Sequence, residues 1–132
     1  MAALDRPAPK PRPVYLNLLA IRQPVPAIVS ILHRISGALL FLFGIPLLLW
    51  VVQRSLASPD AWAQMRSLLA TPLAKLVLIV LAWAYFHHFI AGIRHLLMDL
   101  HWGMDLKSAR QSSAVTLVLA VLLTLGVAVK LW

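Results

Sequence analysis

The chain contains no cysteine and no glutamate, and its carboxylate side chains come from only four aspartates. The lack of cysteine excludes disulfides, iron–sulfur ligation and thiolate metal sites within this chain. So few carboxylates leave little for hydrolytic acid–base catalysis, and neither a Ser-His-Asp pattern nor a phosphate-binding loop is recognisable. Any redox group that this chain binds must therefore use other ligands.

Charge is also scarce, since 12% of the 132 residues are charged, 61% are hydrophobic and the mean hydropathy is +0.86. A soluble domain of this size cannot bury so much apolar surface, which indicates an integral membrane protein. The formal net charge is +8. The basic residues lie between apolar runs and in the N-terminal arm, a distribution that argues for membrane orientation signals and against nucleic-acid binding.

The apolar runs predict an all-α fold of three transmembrane helices in an up-down-up arrangement. Residues 1–26 form a proline-rich, basic arm, expected to be extended because internal prolines disrupt helices. Residues 27–132 form the membrane domain, with helices predicted at about 27–52, 73–98 and 114–132. Pro46 should kink the first helix, and Ser58 is the predicted N-cap of a short interfacial helix that carries Trp62.

The distribution of basic residues predicts the orientation. The arm, the start of helix 1, the end of helix 2 and the second connection lie on one side and hold eight Lys and Arg: Arg6, Lys10, Arg12, Arg22, Arg34, Arg94, Lys107 and Arg110. The other side holds the remaining four of the 12: Arg54, Arg66, Lys75 and Lys130. The positive-inside rule therefore places the N-terminus in the cytoplasm and the C-terminus in the periplasm.

The second helix carries a polar stripe of His88, Gly92, His95 and Asp99, which stay within roughly 40° of one another on a regular helix. Such a stripe suits a b-type haem, with one histidine on the iron and Gly92 allowing the ring to approach. His88 is the preferred ligand because it lies roughly 15 Å inside the inner end. The adjacent His87, about 100° away, is the alternative ligand. Helix–helix packing by polar and small residues is the alternative to a haem site.

Bis-histidine ligation needs a second imidazole at a similar depth, and His33 is predicted to lie too near the cytoplasmic end. The second ligand is therefore expected from another chain. The first helix has a polar stripe of its own: Ser30, His33, Arg34 and Gly37. Ser30 and Arg34 could donate hydrogen bonds to a quinone headgroup, with the following leucines forming a slot for its tail. The alternative is that Arg34 and Arg94 extend to the lipid headgroups as orientation anchors.

Motifs along nearly the whole chain resemble one known family, the succinate dehydrogenase cytochrome b subunits, which are membrane anchors of bacterial complex II. The resemblance depends on Arg12-Pro13, on the run Ser30-Ile31-Leu32-His33-Arg34-Ile35-Ser36-Gly37, and on His88 with Gly92-Ile93-Arg94-His95 and Asp99. It implies a multi-pass protein of the bacterial inner membrane that binds one haem b and ubiquinone. The second histidine, His87, departs from the pattern beside the expected ligand.

The resemblance also implies partners and residue roles. A second membrane anchor would share the haem, and both anchors would hold the iron–sulfur and flavoprotein subunits at the membrane lipid. The chain itself would be non-catalytic but would contribute to the quinone-reduction site. By motif, His88 is the axial iron ligand, Ser30 and Arg34 line the quinone site, and His33, Arg34 and His95 lie near the haem propionates. A purely structural anchor and a fumarate reductase anchor are the alternatives.

Overall fold

A computed structural model describes Asn17 and residues 20–132, so most of the predicted arm, including Arg12-Pro13, lies outside the described residues. This part of the chain is helical and contains no strand. Its helices are α1 (Val25–Leu39), α2 (Ile45–Ala57), α3 (Pro59–Leu69), α4 (Pro72–Asp99) and α5 (Leu106–Leu131). A π-helical turn at Leu40–Gly44 joins α1 and α2 into one continuous helix.

Three helices of the described chain are long and apolar enough to cross a membrane: Val25–Ala57, Pro72–Asp99 and Leu106–Leu131. The all-α, three-helix prediction is therefore confirmed. Within their most apolar windows, only 6%, 17% and 17% of the residues are buried inside the chain. Most of the apolar surface must therefore be covered by lipid or by other subunits, because it cannot face water.

Capping residues set the ends of the helices. The Ser58 hydroxyl accepts a hydrogen bond from the Ala61 amide at 3.1 Å, which confirms the predicted N-cap of the short helix α3. Trp62 lies on the exposed side of α3, whereas Ala61 and Met65 are buried. The Thr71 hydroxyl caps α4 in the same way, at 3.4 Å from the Ala74 amide.

The third long helix begins at Leu106, whereas the apolar run predicted a start at about residue 114. The Asp105 carboxylate accepts a hydrogen bond from the Ser108 amide at 2.9 Å, so a polar first turn joins the helix ahead of its apolar part. The first helix continues through Pro46. Because proline has no amide hydrogen for the preceding turn, the irregularity takes the form of the π turn at Leu40–Gly44.

Helix α4 lies at the centre and packs against both α1 and α5. The inward faces carry mostly small residues, which let the helices approach closely. The buried residues of the three long helices are Val29 and Ser36 on α1, Ala84, His87, Ala91 and Arg94 on α4, and Ser113, Thr116, Ala120 and Thr124 on α5. This packing fixes the rotation of α4 and therefore determines which of its histidines face α1.

Candidate functional site

The two predicted polar stripes meet where α1 packs on α4. The His33 ring from α1 lies between two histidines of α4, with ring centroids 4.2 Å from His88 and 5.0 Å from His95. Seven residues separate His88 from His95, about 10.5 Å along the helix, which leaves room for one intervening ring. The described residues contain no group of three ligands arranged to hold a free metal ion. The cluster is therefore not a simple three-histidine metal site.

Gly92 lies opposite the His33 ring, so the flat group that approaches it within this chain is an imidazole. A Cβ at Gly92 would lie 3.8 Å from His33 Nε2, an ordinary van der Waals distance. Alanine would therefore fit at this position. The sequence predicted that Gly92 lets a haem ring approach, and this stays a prediction. The packing of His33 against Gly92 depends on how α1 docks.

The orientation of the His88 ring follows from its contacts with α1. Its Nδ1 lies 3.0 Å from the backbone carbonyl oxygen of His33 and 3.3 Å from the Ser36 hydroxyl oxygen. A carbonyl can only accept, so Nδ1 carries the hydrogen and donates it. In the neutral ring the lone pair is then on Nε2, which has no hydrogen-bond partner among the described residues. His88 thus presents an unprotonated nitrogen suited to a metal.

Gly37 provides the space for this ring. A Cβ built on Gly37 would lie 2.8 Å from His88 Cε1 and 3.2 Å from His88 Nδ1, which is closer than side chains normally pack. Ser36, the preceding residue, is fully buried and donates its own hydroxyl hydrogen to the His33 carbonyl at 2.9 Å. One turn of α1 therefore surrounds one side of the His88 imidazole.

His87 is in a different environment from its neighbour. It is fully buried, and its ring stacks on Trp83 with centroids 5.4 Å apart. Neither of its ring nitrogens has a hydrogen-bond partner in the described part of the chain. Trp83 covers this ring. His87 therefore faces the interior of the helix bundle and offers no open nitrogen to an outside ligand.

The two arginines near the site also differ. Arg34 is exposed and Ser30, one turn earlier on α1, is half-buried, so both lie at the surface of the bundle. Arg94 is only 7% exposed. Its Nε donates to the Ser112 hydroxyl at 2.9 Å and its Nη2 to the Ala109 carbonyl at 3.5 Å. The idea that Arg94 extends to the lipid headgroups is therefore wrong, since it binds α5.

Comparison with known proteins agrees with this architecture. Residues 8–127 match the family model described as succinate dehydrogenase/fumarate reductase transmembrane subunit. The chain is similar to the succinate dehydrogenase cytochrome b556 subunit of Paracoccus denitrificans, with 36% identity over 115 residues, 84% of this chain and 88% of that protein. The protein of the same name from Coxiella burnetii is 35% identical over 122 residues, 92% of this chain and 97% of its own length.

A third protein of that name, from Rickettsia conorii, is 30% identical over 121 residues and covers 92% of this chain and 90% of its own length. The matched residues 8–127 include both polar stripes and all but the last turn of α5. The chain therefore belongs to the family of succinate dehydrogenase and fumarate reductase transmembrane subunits, and is a multi-pass membrane subunit that works in a complex with other chains.

Proposed function

We propose that this chain is the haem b- and ubiquinone-binding anchor subunit of succinate dehydrogenase, passing electrons from the iron–sulfur subunit to ubiquinone. The observation that carries the proposal is the His88 ring, which donates from Nδ1 to the His33 carbonyl and leaves Nε2 free. Haem-ligating histidines bind through one nitrogen while the other donates to a fixed acceptor. The relatives' name, cytochrome b556 subunit, agrees with a b-type haem.

His88 is the proposed axial ligand, and His87 is not, because His87 is fully buried behind Trp83. His33 and His95 lie beside His88 and offer ring nitrogens to the haem propionates, and Arg34 on the same end of α1 offers a cation. A bound haem supplies one-electron redox chemistry at this position. His88 would hold it through Nε2, and His33, His95 and Arg34 would orient its propionates.

The second axial ligand is proposed to come from the other anchor subunit. Two imidazoles that share one iron lie on opposite faces of the porphyrin. The rings of His33 and His88 are in direct contact, with centroids 4.2 Å apart, so no macrocycle fits between them. His95 stacks on His33 on the side away from His88, with centroids 5.0 Å apart, so no macrocycle fits there either. The cluster therefore provides a single ligand, and the opposite face of the haem belongs to a partner.

Ser30 and Arg34 are the proposed quinone contacts from this chain. Both side chains lie at the surface in the first third of the span Val25–Ala57, toward its N-terminal end, where their donors can reach a quinone carbonyl oxygen. The positive-inside rule places that end at the cytoplasmic face of the bacterial inner membrane, with the C-terminus in the periplasm. A quinone there would lie between the two anchors and the iron–sulfur subunit, with the flavoprotein beyond. The relatives are named as succinate dehydrogenase subunits, which favours electron transfer from succinate to the quinone over the reverse reaction of a fumarate reductase.

The ligand assignment is tested by expressing the chain with its three partner subunits and recording reduced-minus-oxidised spectra of the membranes. His88→Leu should abolish the haem b absorbance while the complex still assembles. His87→Leu, the matched control, should leave that absorbance unchanged, because the His87 ring is fully buried against Trp83 and lies outside the cluster of His33, His88 and His95. Loss of the signal only in His87→Leu would move the ligand to His87. An unchanged spectrum in both variants would mean that neither histidine binds haem and that the chain is a purely structural anchor.

The quinone contact is tested with Arg34→Leu. Losing a hydrogen bond from a charged group costs about 1.5–3 kcal/mol, or roughly 10–100-fold in kcat/KM for the quinone. Succinate oxidation by an artificial acceptor, which bypasses the quinone, should be unchanged. Arg110→Leu, an exposed arginine on α5, is the matched control and should affect neither assay. Equal losses in both assays for Arg34→Leu would mean that Arg34 only supports assembly.

A further inference from the structure

One turn of α1 holds the His88 ring, which belongs to the neighbouring helix α4. The contacts involve the His33 carbonyl, the Ser36 hydroxyl and the position of Gly37. Each of these three contacts has a different effect on the ring. The carbonyl fixes which nitrogen carries the hydrogen, the hydroxyl gives that hydrogen a second acceptor, and the missing side chain leaves volume for the ring.

From these contacts we propose that Ser36 and Gly37 are positioning residues for the haem ligand: they fix the rotation and tautomer of His88 so that Nε2 faces the iron. This inference rests on the proposed function of His88. It extends that function to two residues that do not themselves bind the haem.

The role of Gly37 is steric. Any Cβ there would lie 2.8 Å from His88 Cε1, and the ring would have to rotate away and break its 3.0 Å hydrogen bond to the His33 carbonyl. Gly92, on the facing helix, is the contrasting case, because its Cβ would meet His33 at an ordinary 3.8 Å. The same substitution at two glycines of one site should therefore have opposite outcomes.

The role of Ser36 is electronic. Its hydrogen is donated to the His33 carbonyl at 2.9 Å, so its oxygen turns a lone pair toward Nδ1 at 3.3 Å. An acceptor at Nδ1 increases the electron density on Nε2, and a more basic ligand stabilises the oxidised iron. Ser36 is fully buried, so water cannot replace its hydroxyl. Removing that acceptor should raise the midpoint potential of the haem.

The experiment uses the four-subunit complex and reads haem content, the low-spin electron paramagnetic resonance signal and the haem midpoint potential. Gly37→Ala should lose most of the low-spin signal, whereas Gly92→Ala should keep it. Ser36→Ala should keep the haem but raise its midpoint potential, and Ser36→Thr should restore the original value. These readouts do not depend on enzyme activity.

The outcomes separate this inference from the proposed function. If His88→Leu abolishes the haem but Gly37→Ala matches Gly92→Ala and Ser36→Ala leaves the potential unchanged, the positioning role is wrong and His88 remains the ligand. If His88→Leu leaves the spectrum intact, the proposed function fails first. If Gly37→Ala does not assemble, Ser36→Ala decides, because it removes an oxygen and adds no bulk.

Discussion

The two faces of α4 have opposite characters. The face toward α5 is closely packed, and the Ser113, Thr116 and Thr124 hydroxyls of α5 that meet it donate to carbonyls of their own helix at 2.7–2.9 Å. The face toward α1 carries His88 and His95, which remain half-buried. One face is therefore completed within this chain, while the other has polar groups whose remaining bonds must come from outside it.

This difference distinguishes residues that stabilise the fold from residues that are available to bind a ligand. Polar groups inside a bilayer are costly unless they are paired. The α5 hydroxyls meet this requirement locally, because a serine or threonine on a helix can bond to the preceding turn. An imidazole cannot, so a histidine can be paired only by another element. His87, stacked on Trp83, has no hydrogen-bond partner among the described residues. His88 has one from α1 through Nδ1, and its Nε2 stays open.

The largest loss of stability is expected from disrupting the packing of α4 where it faces α5. Ala91 is fully buried on α4, one turn before Arg94, whose side chain bonds to α5. Ala91→Leu adds three carbons there, and overpacking of this kind costs about 1–3 kcal/mol and sometimes more. The thermal unfolding midpoint of the detergent-solubilised complex should fall clearly. Val129→Leu, at a site 79% exposed in this chain, should change it little. Equal midpoints for both variants would contradict close packing between α4 and α5.

A smaller effect should come from the hydrogen bonds that the Arg94 guanidinium makes to α5. The Arg94 guanidinium is buried against the Ser112 hydroxyl, at 2.9 Å, and no ion pair compensates it within the described residues. Arg94→Met removes the charge and Ser112→Ala removes one acceptor. In a double-mutant cycle that measures the free energy of unfolding, the two substitutions should show an interaction energy of about 1–3 kcal/mol. Hydrogen bonds to charged groups are stronger than neutral ones. Additive losses would mean that Arg94 stabilises α5 only by packing.

The sequence predicted the three long helices because a bilayer requires long apolar runs, and these are visible without any tertiary information. It also predicted the polar stripes of α1 and α4 and the Ser58 cap, since both depend on local spacing. The prediction that His33 lies too near the cytoplasmic end to match the depth of His88 is wrong, since the two rings are in contact. The close contact at Gly37 and the burial of Arg94 were not predicted. These features depend on how the helices are rotated against one another, which spacing along one helix does not determine.

The smallest expected effect lies at the start of α5, where Asp105 begins the helix that covers Arg94. Hydrogen bonding to Ser108 lowers the pKa of the Asp105 carboxyl below its ordinary value. A group with a lowered folded-state pKa stabilises the fold above its ordinary pKa, and this contribution is lost as the pH falls through the folded value. Asp105→Ala should therefore lower the unfolding midpoint slightly at pH 7, and its difference from the parent should shrink below about pH 4. Asp105→Asn keeps a cap that does not titrate, so its smaller deficit should disappear or reverse in acid. A deficit for Asp105→Ala that is independent of pH would mean that the charge contributes nothing and that only the cap geometry stabilises α5.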